Sequence, residues 1–331
     1  MTTASEQTHA SGHDVVVVGG GPAGCSTGVF CAREGLDTVV FDRGRSSIQR
    51  CAHLENYLGF PRGVDIETFY DLMHDHAETA GCAIVLDLVE SVEHADEEGF
   101  RVVPQDGDPV TARRVVAATR YDGEYLRGLD DEAAMFESAE HDGEEHEQFD
   151  RGYPDDDGTT PVDGLYVVTP SDEDDQAIIA AGRGARVGRR VVADTRVDAG
   201  WWEAAAERVD WVRREAELDE EWADRDRWVE WFDDYHADRA PVAPDTDRFR
   251  RVREAAIDAS LSSYVSDEER EARAAAGQEA IAAHLDVERL PTDAAVERLL
   301  GGVDDETLLD HVDDDAIRER ADALGPTEVD P

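Results

Sequence analysis

A glycine-rich loop between an apolar strand and a helix determines the architecture of the N-terminal half. Residues 14–18 (DVVVV) predict a buried parallel strand, residues 22–34 predict a helix, and the loop between them contains G-x-G-x-x-G. Gly19 allows a tight turn, Gly21 lets a pyrophosphate approach the backbone, and Gly24 lets the helix pack closely on the strand. The free N–H groups and positive dipole end of the helix then favour phosphate.

A second apolar strand over residues 37–42 (DTVVFD) completes a strand–helix–strand unit. It ends at Asp42, 18 residues after Gly24, where an acidic side chain can accept hydrogen bonds from ribose hydroxyls. The strand, the helix and Asp42 together predict a dinucleotide-binding unit. The alternative is a glycine turn that binds no ligand, and the loop alone fits FAD as well as NAD.

The order of the later elements favours FAD over NAD. Apolar spacing predicts a helix over 65–80, strand-like segments over 83–93, 100–104 and 114–119, a strand over 164–168 and a helical run over 175–192. An NAD-binding domain would normally continue with further strand–helix units. A meander, an interruption and a late strand–helix return are instead the layout of flavoprotein disulfide reductases.

The interruption over residues 126–160 is strongly acidic. It contains thirteen aspartates and glutamates against Arg127 and Arg151, with scattered glycine and histidine and little periodicity. This composition predicts an acidic loop or a poorly ordered linker.

Several segments in sequence order resemble the FAD-binding half of the thioredoxin reductase family. They are DVVVVGGGPAG, TVVFDRG, HLENYLGFPRGVDIETFYDLMHDHAETAGCAIV, RVVAAT, and GLYVV with QAIIAAGRGA, and they lie within residues 14–119 and 163–192. The resemblance implies an α/β fold: a Rossmann-like FAD-binding domain with a parallel sheet and a β-meander, followed by an α-helical C-terminal region. The domain boundaries are then 1–125 for the first part, 126–160 for the linker in place of the pyridine-nucleotide domain, 161–198 for the return segment and 199–331 for the helical region.

The resemblance also implies cofactor contacts by position. Residues that would cradle the pyrophosphate and hold the adenosine ribose are Gly19, Gly21, Pro22, Ala23 and Gly24, then Asp42, Arg43 and Gly44. Residues that match positions near the flavin or the adenine are Asn56, Val89, Ala118, Thr119, Gln176 and Ala177. Among these, Asn56 would lie near the flavin end, the Val89 backbone would meet the adenine, and Gln176 would start the helix that points at the isoalloxazine.

Three departures from the family pattern change the functional expectation. The space between Thr119 and residue 164 is too short for a pyridine-nucleotide domain and has no second G-x-G-x-x-G. The redox C-x-x-C pair is also absent. Finally, Arg120 replaces the glycine of the family's Ala-Thr-Gly turn, and Thr169-Pro170 replaces its Gly-Asp, for which Ser171 or Asp172 would have to substitute.

These departures predict an FAD-dependent oxidoreductase without the NAD(P)H domain. Electrons would arrive from a separate donor, such as a ferredoxin, a free reduced nicotinamide or a partner subunit, and leave through the flavin N5. The alternative is a non-catalytic FAD or nucleotide binder whose helical C-terminus binds a partner. A plain NAD-dependent dehydrogenase is disfavoured by the late strand–helix return.

Cys51 is the candidate catalytic thiol. It follows Asp42 in the loop that the family threads past the flavin, and the neighbouring Arg50 and His53 would favour a thiolate. The alternative is a small packing residue, which is the role we expect for Cys25, Cys31 and Cys82. His74 and His76 lie two residues apart, on different faces of a helix, so we expect no metal there.

The region after residue 199 is predicted to be helical and holds all six tryptophans, between Trp201 and Trp231. Trp201, Trp211 and Trp222 have helical spacing and predict a common face, which Trp228, Trp231 and Tyr235 continue; further helices are expected around 248–285 and 291–323. This face would pack onto the flavin domain, bind a protein partner or shield the flavin.

The charge of the chain restricts its partners and surroundings. The 331 residues contain 32 arginines, no lysine and 79 carboxylates, for a formal charge of −47, which argues against nucleic acids and anionic membranes. Such a chain is suited to concentrated salt, where the screening length falls to about 3 Å. Residues 1–13 are polar and no apolar stretch is long enough for a membrane span, so we expect a cytoplasmic protein. The resembled family makes a homodimer a further expectation.

Overall fold

The computed structural model describes residues 12–95, 98–120, 123–141, 144–171, 176–208, 214–215, 222–284, 301, 303–310 and 312–324. The strands are β1 (His13–Val18), β2 (Thr38–Phe41), β3 (Ala83–Val85), β4 (Val89–His94), β5 (Phe100–Pro104), β6 (Val110–Ala118), β7 (Phe136–His141), β8 (Glu144–Phe149), β9 (Leu165–Thr169), β10 (Arg214–Glu215) and β11 (Tyr264–Val265). The α-helices are α1 (Pro22–Arg33), α2 (Ile66–Ala80), α3 (Glu132–Met135), α4 (Ala177–Asp198), α5 (Glu203–Ala206), α6 (Arg225–His236), α7 (Asp247–Leu261), α8 (Asp267–Ala283), α9 (Asp305–Asp310) and α10 (Asp314–Leu324).

A seven-stranded mixed sheet organises the N-terminal part, with the order β3-β2-β1-β6-β5-β4 and with β9 also paired to β6. Strand β1 pairs in parallel with β2 on one side and with β6 on the other. The opposite edge of β6 is shared, because residues 110–112 pair antiparallel with β5 and residues 115–118 pair in parallel with β9. The parallel sheet, the meander and the late return strand predicted from the sequence are therefore confirmed.

Helices α1 and α4 cover one face of the parallel sheet at close range. The Thr27 hydroxyl donates to the carbonyl of Gly184 at 3.1 Å. A Cβ on Gly184 would lie 2.1 Å from the Ala23 carbonyl oxygen, and a Cβ on Gly188 would lie 2.8 Å from the Phe30 Cβ. A residue with a side chain at either position would force α1 and α4 further apart, so both positions require glycine. With the two helices packed this closely, their N-termini lie at the same edge of the sheet.

Residues 126–160 differ from the predicted loop or poorly ordered linker. Strands β7 and β8 form an antiparallel hairpin in which Phe136 pairs with Phe149. Leu126, Met135 and both phenylalanines are buried in the cluster that also holds the inner side chains of β4–β6. The prediction was wrong because the few apolar residues, widely spaced among carboxylates, form one buried face once the hairpin closes.

The region after residue 199 is helical as predicted, with a small core of its own. Trp202, Phe232 and Phe249 are buried against one another, and the Trp202 and Phe249 rings stack with centroids 5.4 Å apart. The prediction of one tryptophan face is wrong for Trp201 and Trp222, which lie outside the helices, while Trp211 falls outside the described residues.

The later helices also differ in detail from the sequence-based prediction. The segment 248–285 is divided into α7 and α8 by β11, which pairs in parallel with β10. The chain separates into compact units over residues 1–278 and 279–331. Within the second unit, α9 and α10 fall in the predicted 291–323 segment, of which residues 291–300 lie outside the described part.

Among the described residues, no helix is both long and apolar enough to cross a bilayer.

Candidate functional site

A cavity of about 920 Å³ opens at the carboxyl edge of the parallel strands. The last residues of β1, β2, β6 and β9 line it, namely Val18, Phe41, Ala118 and Thr169. This edge of an open α/β sheet is where ligands bind in such folds, and the volume lies at the upper end of the range for small-molecule sites.

The structure brings the predicted site residues together around this cavity. Those that line it are Gly19, Gly21, Pro22, Ala23, Asp42, Arg43, Cys51, Asn56, Val89, Ala118, Thr119, Gln176 and Ala177. Gly24 and Gly44 are not among its lining residues. The individual cofactor contacts of these residues stay predictions.

The glycine loop has the geometry that its sequence predicts. Gly19 adopts φ +118°, and a Cβ there would lie 2.4 Å from the Ala118 carbonyl oxygen. A Cβ on Gly24 would lie 1.8 Å from the carbonyl oxygen of Gly19, so Gly24 is required for the fit of α1 on the turn. A Cβ on Gly21 would lie 2.8 Å from the Ser46 hydroxyl oxygen. The loop can pack this closely on its neighbours only while the three positions lack side chains.

Two helix N-termini face the cavity. Gly21 is the N-cap of α1 and has no side chain, and the Gln176 side chain at the N-cap of α4 does not accept from the first-turn amides. Pro22 occupies the first turn of α1, where the missing N–H costs nothing. The remaining amides and the dipole of α1 form a site for an anion such as a pyrophosphate, so the loop fits the phosphates of a dinucleotide.

Asp42 is buried at the base of the loop and contacts three polar neighbours. Its Oδ2 accepts from the Tyr70 hydroxyl and lies 3.3 Å from His74 Nε2, and its Oδ1 accepts from the Gly44 amide at 3.0 Å. Burial works against the charged form, but the hydrogen bonds from His74, Tyr70 and Gly44 hold the pKa of Asp42 below its usual value. The carboxylate therefore stays ionised at neutral pH.

Tyr70 and His74 were missed as site residues by the sequence analysis. They lie one turn apart on α2, and their rings pack with centroids 4.5 Å apart. Besides contacting Asp42, the His74 Nε2 lies 3.0 Å from the Gly20 carbonyl oxygen. The i, i+4 spacing of the two residues was the available signal, but only the packing of α2 shows that this face meets Asp42.

The cavity lining also includes the residues that the resemblance assigns to the flavin, among them Asn56, Thr119 and Gln176. The Asn56 amide donates to the side-chain oxygen of Gln176, 120 positions away in the chain. The Thr119 hydroxyl lies 3.0 Å from that of Tyr125, a buried residue that the sequence analysis did not identify.

The two altered turns also reach the cavity, because Arg120 and Thr169 line it. Ser171, one of the suggested substitutes for the missing aspartate, is buried and is not part of the lining, and Asp172 falls outside the described residues. Thr169 is thus the side chain that stands at this turn.

With four arginines and five carboxylates, the lining is nearly balanced in charge although the chain carries −47.

Of the four cysteines, Cys51 is exposed and lines the cavity, whereas Cys25, Cys31 and Cys82 are buried. The Cys25 thiol donates to the Gly20 carbonyl at 3.2 Å. Burial raises the pKa of Cys31 strongly and that of Cys82 to about 12, so these two stay protonated. Cys51 is the thiol that a bound ligand or a dissolved reagent can reach.

Residues 14–55 match the family model described as FAD binding domain. That segment contains the glycine loop, Asp42 and Cys51, and FAD is the cofactor that it specifies. A stretch of 122 residues is 32% identical to a bifunctional thioredoxin reductase/thioredoxin of Mycobacterium leprae and covers 36% of this chain and 26% of that protein. Another of 114 residues is 27% identical to a thioredoxin reductase of Rickettsia conorii, covering 34% and 36% respectively.

The chain thus spans roughly a quarter to a third of the length of the curated relatives it matches. Among solved structures, thioredoxin reductases from Gloeobacter violaceus and T. acidophilum match with TM-scores of 0.43 and 0.44, each at 18% identity. They cover 57% and 56% of this chain, and 95% and 100% of the solved chains. The resemblance to the FAD-binding part of thioredoxin reductases is confirmed by the family model and the curated relatives.

Proposed function

We propose that this chain is an FAD-dependent oxidoreductase, similar to thioredoxin reductase, that takes its electrons from a separate donor. The observation that carries the proposal is the cavity at the carboxyl edge of the sheet, where the glycine loop, Asp42, Asn56 and Gln176 surround one space. The segment that matches the FAD-binding model supplies the wall on the loop side. The activity is inferred from this site and from the local similarity to the thioredoxin reductases.

Each part of the wall has a binding role. Bound FAD supplies reversible acceptance of an electron pair at its isoalloxazine ring. The N-terminus of α1 holds the pyrophosphate, and Gly21 leaves the space that a side chain would fill. Asp42, held ionised by His74, accepts from the ribose. Asn56 and Gln176, which hydrogen-bond to each other, orient the flavin end beside the N-terminus of α4.

The connection between β6 and β9 supports a separate donor. In the resembled family this connection carries the pyridine-nucleotide domain with its C-x-x-C pair. Here it carries the β7–β8 hairpin, whose Phe136 and Phe149 pack into the core of the flavin domain, and the four cysteines contain no C-x-x-C spacing. A ferredoxin, a free reduced nicotinamide or a partner subunit would then provide the electrons.

The test is the visible absorbance of the chain purified in molar KCl, before and after incubation with FAD and removal of excess cofactor. We expect flavin bands in the unmodified chain and none in Gly21→Ala, because the added methyl group intrudes on Ser46 and on the pyrophosphate space. Gly182→Ala on α4 is the matched control, since a Cβ there meets nothing within 4 Å. A chain that stays colourless after reconstitution would overturn the proposal.

Arg120 and Thr169 at the cavity wall favour a second candidate, a non-catalytic flavin binder whose helical region binds a partner. These side chains stand where the resembled family has glycines. Stopped-flow reduction separates the two candidates: the oxidoreductase is reduced by reduced ferredoxin or by NADH, whereas the binder is reduced by dithionite alone.

A further inference from the structure

A side-chain network from α2 supports the glycine loop on the side of Asp42. A Cβ on Gly20 would lie 2.5 Å from the Cβ of Asp42, so the loop backbone rests directly on that side chain. His74 Nε2 lies 3.3 Å from Asp42 Oδ2 and 3.0 Å from the Gly20 carbonyl oxygen, so one imidazole nitrogen contacts both the carboxylate and the loop. Helix α2 thereby fixes the carboxylate and the loop relative to each other.

The contacts of Asp42 leave one of its acceptor positions open. A carboxylate offers about four lone-pair positions to donors. The Tyr70 hydroxyl and His74 take two at Oδ2, and the Gly44 amide takes one at Oδ1. Asp42 lines the cavity, so the remaining position at Oδ1 is available for a ribose hydroxyl. Because both contacts from α2 are made with Oδ2, they restrict the rotation of the carboxylate and so set the direction in which Oδ1 accepts.

The charge of His74 strengthens its contact with Asp42. The imidazole is 17% exposed and faces Asp42 at the end of β2, Cys25 of α1 and Tyr70 of its own helix. Burial opposes the charged form, but the interactions with Asp42, Cys25 and the Gly20 carbonyl raise the pKa of His74 to about 10, so the ring is an imidazolium at neutral pH. A neutral ring can keep an N–H at Nε2, but it lacks the charge that makes a hydrogen bond to a carboxylate strong.

We propose that His74 is a positioning residue that makes the binding of the adenosine half of FAD depend on pH. This inference rests on the proposed function, because it assigns the ribose of bound FAD to Asp42. While the ring is charged, Asp42 and Gly20 are held in the arrangement that receives the ribose and the pyrophosphate. When the ring loses its proton, the carboxylate and the loop are held less tightly, and the adenosine half binds more weakly.

The flavin half should not follow the charge of His74. We assign that half to Asn56 and Gln176, whose side chains hydrogen-bond to each other and not to the α2 network. The two halves of the cofactor therefore give separate readouts. A substitution that merely loosened the fold would weaken both, whereas loss of positioning at Asp42 weakens the adenosine half alone.

The test measures the dissociation constants of FAD, ADP-ribose and FMN for the full chain by isothermal titration calorimetry in molar KCl, after removal of bound flavin. ADP-ribose carries the adenosine half without the flavin, and FMN carries the flavin without the adenosine. For the unmodified chain, ADP-ribose should bind about fivefold more weakly at about pH 10.5 than at about pH 7.5. Affinity is greatest while His74 is charged, so it falls as the pH passes 10.

Three variants separate the charge of His74 from its hydrogen bond. His74→Gln keeps an N–H donor without the charge, so it should bind ADP-ribose about fivefold more weakly at about pH 7.5 and show no further decline at alkaline pH. His74→Leu removes the donor as well and should weaken binding by at least about tenfold. Tyr70→Phe removes the other donor to Oδ2, so it should weaken binding and yet retain the alkaline decline.

His76→Gln is the matched control on the same helix and should reproduce the unmodified profile. FMN affinity, measured at about pH 7.5, should stay within about twofold in every variant. This value also shows that each variant is folded.

The possible failures are distinguishable. An unmodified chain that binds neither FAD nor ADP-ribose would overturn the proposed function and this inference together. A chain that binds FAD would overturn the role of His74 alone in any of three cases: a flat ADP-ribose profile in the unmodified chain, an alkaline decline that persists in His74→Gln, or equal losses of FMN and ADP-ribose affinity in His74→Leu.

Discussion

The imidazole of His74 and the carboxylate of Asp42 form an ion pair, 3.3 Å apart, directly below the glycine loop. Both side chains are largely buried, and the same imidazole nitrogen contacts the Gly20 carbonyl. The pair therefore connects α2, the end of β2 and the phosphate loop. It gives the cofactor site a dependence on pH that its residues would not have in isolation.

The first prediction is that His74→Gln destabilises the chain by about 2 kcal/mol at neutral pH and less at alkaline pH. Burial alone would lower the pKa of His74, but the interactions with Asp42, with Cys25 and with the Gly20 carbonyl together outweigh burial and raise the pKa to about 10. A raised pKa means that the stabilisation is complete below the unfolded-state value of 6.5 and is lost as the pH rises towards 10. Urea unfolding of both chains across this range measures the difference.

His76→Gln is the matched control for this experiment, because His76 lies on α2 away from Asp42. Burial, with Arg33, lowers the pKa of His76 below its usual value of 6.5, so from about pH 7.5 upwards this residue is neutral in both the folded and the unfolded chain. Its substitution should give a difference that does not vary between about pH 7.5 and 10, whereas the His74→Gln difference changes over this range. A flat profile for His74→Gln as well would show that the ion pair adds nothing.

The frame of the flavin domain could be predicted because its signals are local. The run DVVVV, the glycine loop and Asp42 each indicate a feature within a few residues, and the structure places them as expected. The engagement of Asp42 by Tyr70 and His74 could not be predicted in the same way. It depends on the rotation of α2 against β2, which is decided by long-range packing.

Two other outcomes differ from the sequence-based expectations for physical reasons. In residues 126–160, charge dominates the composition, yet Phe136 and Phe149 are buried because a hairpin pairs them across its strands. Helical spacing of the tryptophans predicts one face, but Trp201 and Trp222 lie outside the helices, just before α5 and α6 respectively. Spacing alone does not show where a helix ends, so residues separated by a turn were assigned to one surface.

A second prediction concerns the contact between α1 and α4. Gly184→Ala should destabilise the chain by about 3 kcal/mol, because the new methyl group would lie 2.1 Å from the Ala23 carbonyl oxygen and must push the helices apart. Gly182 lies two residues earlier on the same helix, and a Cβ there would meet no atom within 4 Å. Gly182→Ala should therefore stabilise α4 by about 0.5–1 kcal/mol. Thermal unfolding of the two variants in parallel measures both effects. Equal shifts of the two would contradict the close packing.

A third prediction concerns thiol reactivity. Ellman's reagent should modify a single thiol of the native chain, Cys51, because the other three cysteines are buried. Added FAD should slow this reaction, since Cys51 lines the cavity. Cys51→Ser should abolish the native reaction, and denaturant should restore reactivity of the three remaining thiols. Unchanged reaction rates with FAD would place Cys51 away from the bound cofactor.

A fourth prediction concerns salt. With a net charge of −47, carboxylate repulsion should lower the melting temperature in dilute buffer, and molar KCl, with a screening length of about 3 Å, should restore it. Sucrose, which favours compact states without screening charge, is the control and should be less effective at equal osmolality. Differential scanning calorimetry in the two series measures the effect. Equal protection by sucrose would rule out charge repulsion as the cause.

The last prediction tests whether the acidic hairpin belongs to the flavin domain. Phe149→Ala should cost about 3–5 kcal/mol of folding free energy, because its ring packs edge-on against Phe136 and Tyr153 and covers Gly123 in the main core. Glu145→Ala, exposed on the same strand, should change stability by less than about 0.5 kcal/mol. Both are measured by urea unfolding in molar KCl. A dispensable linker would tolerate the two substitutions equally, whereas a cooperative loss of the whole flavin domain in Phe149→Ala would show that the segment between β6 and β9 is part of its core.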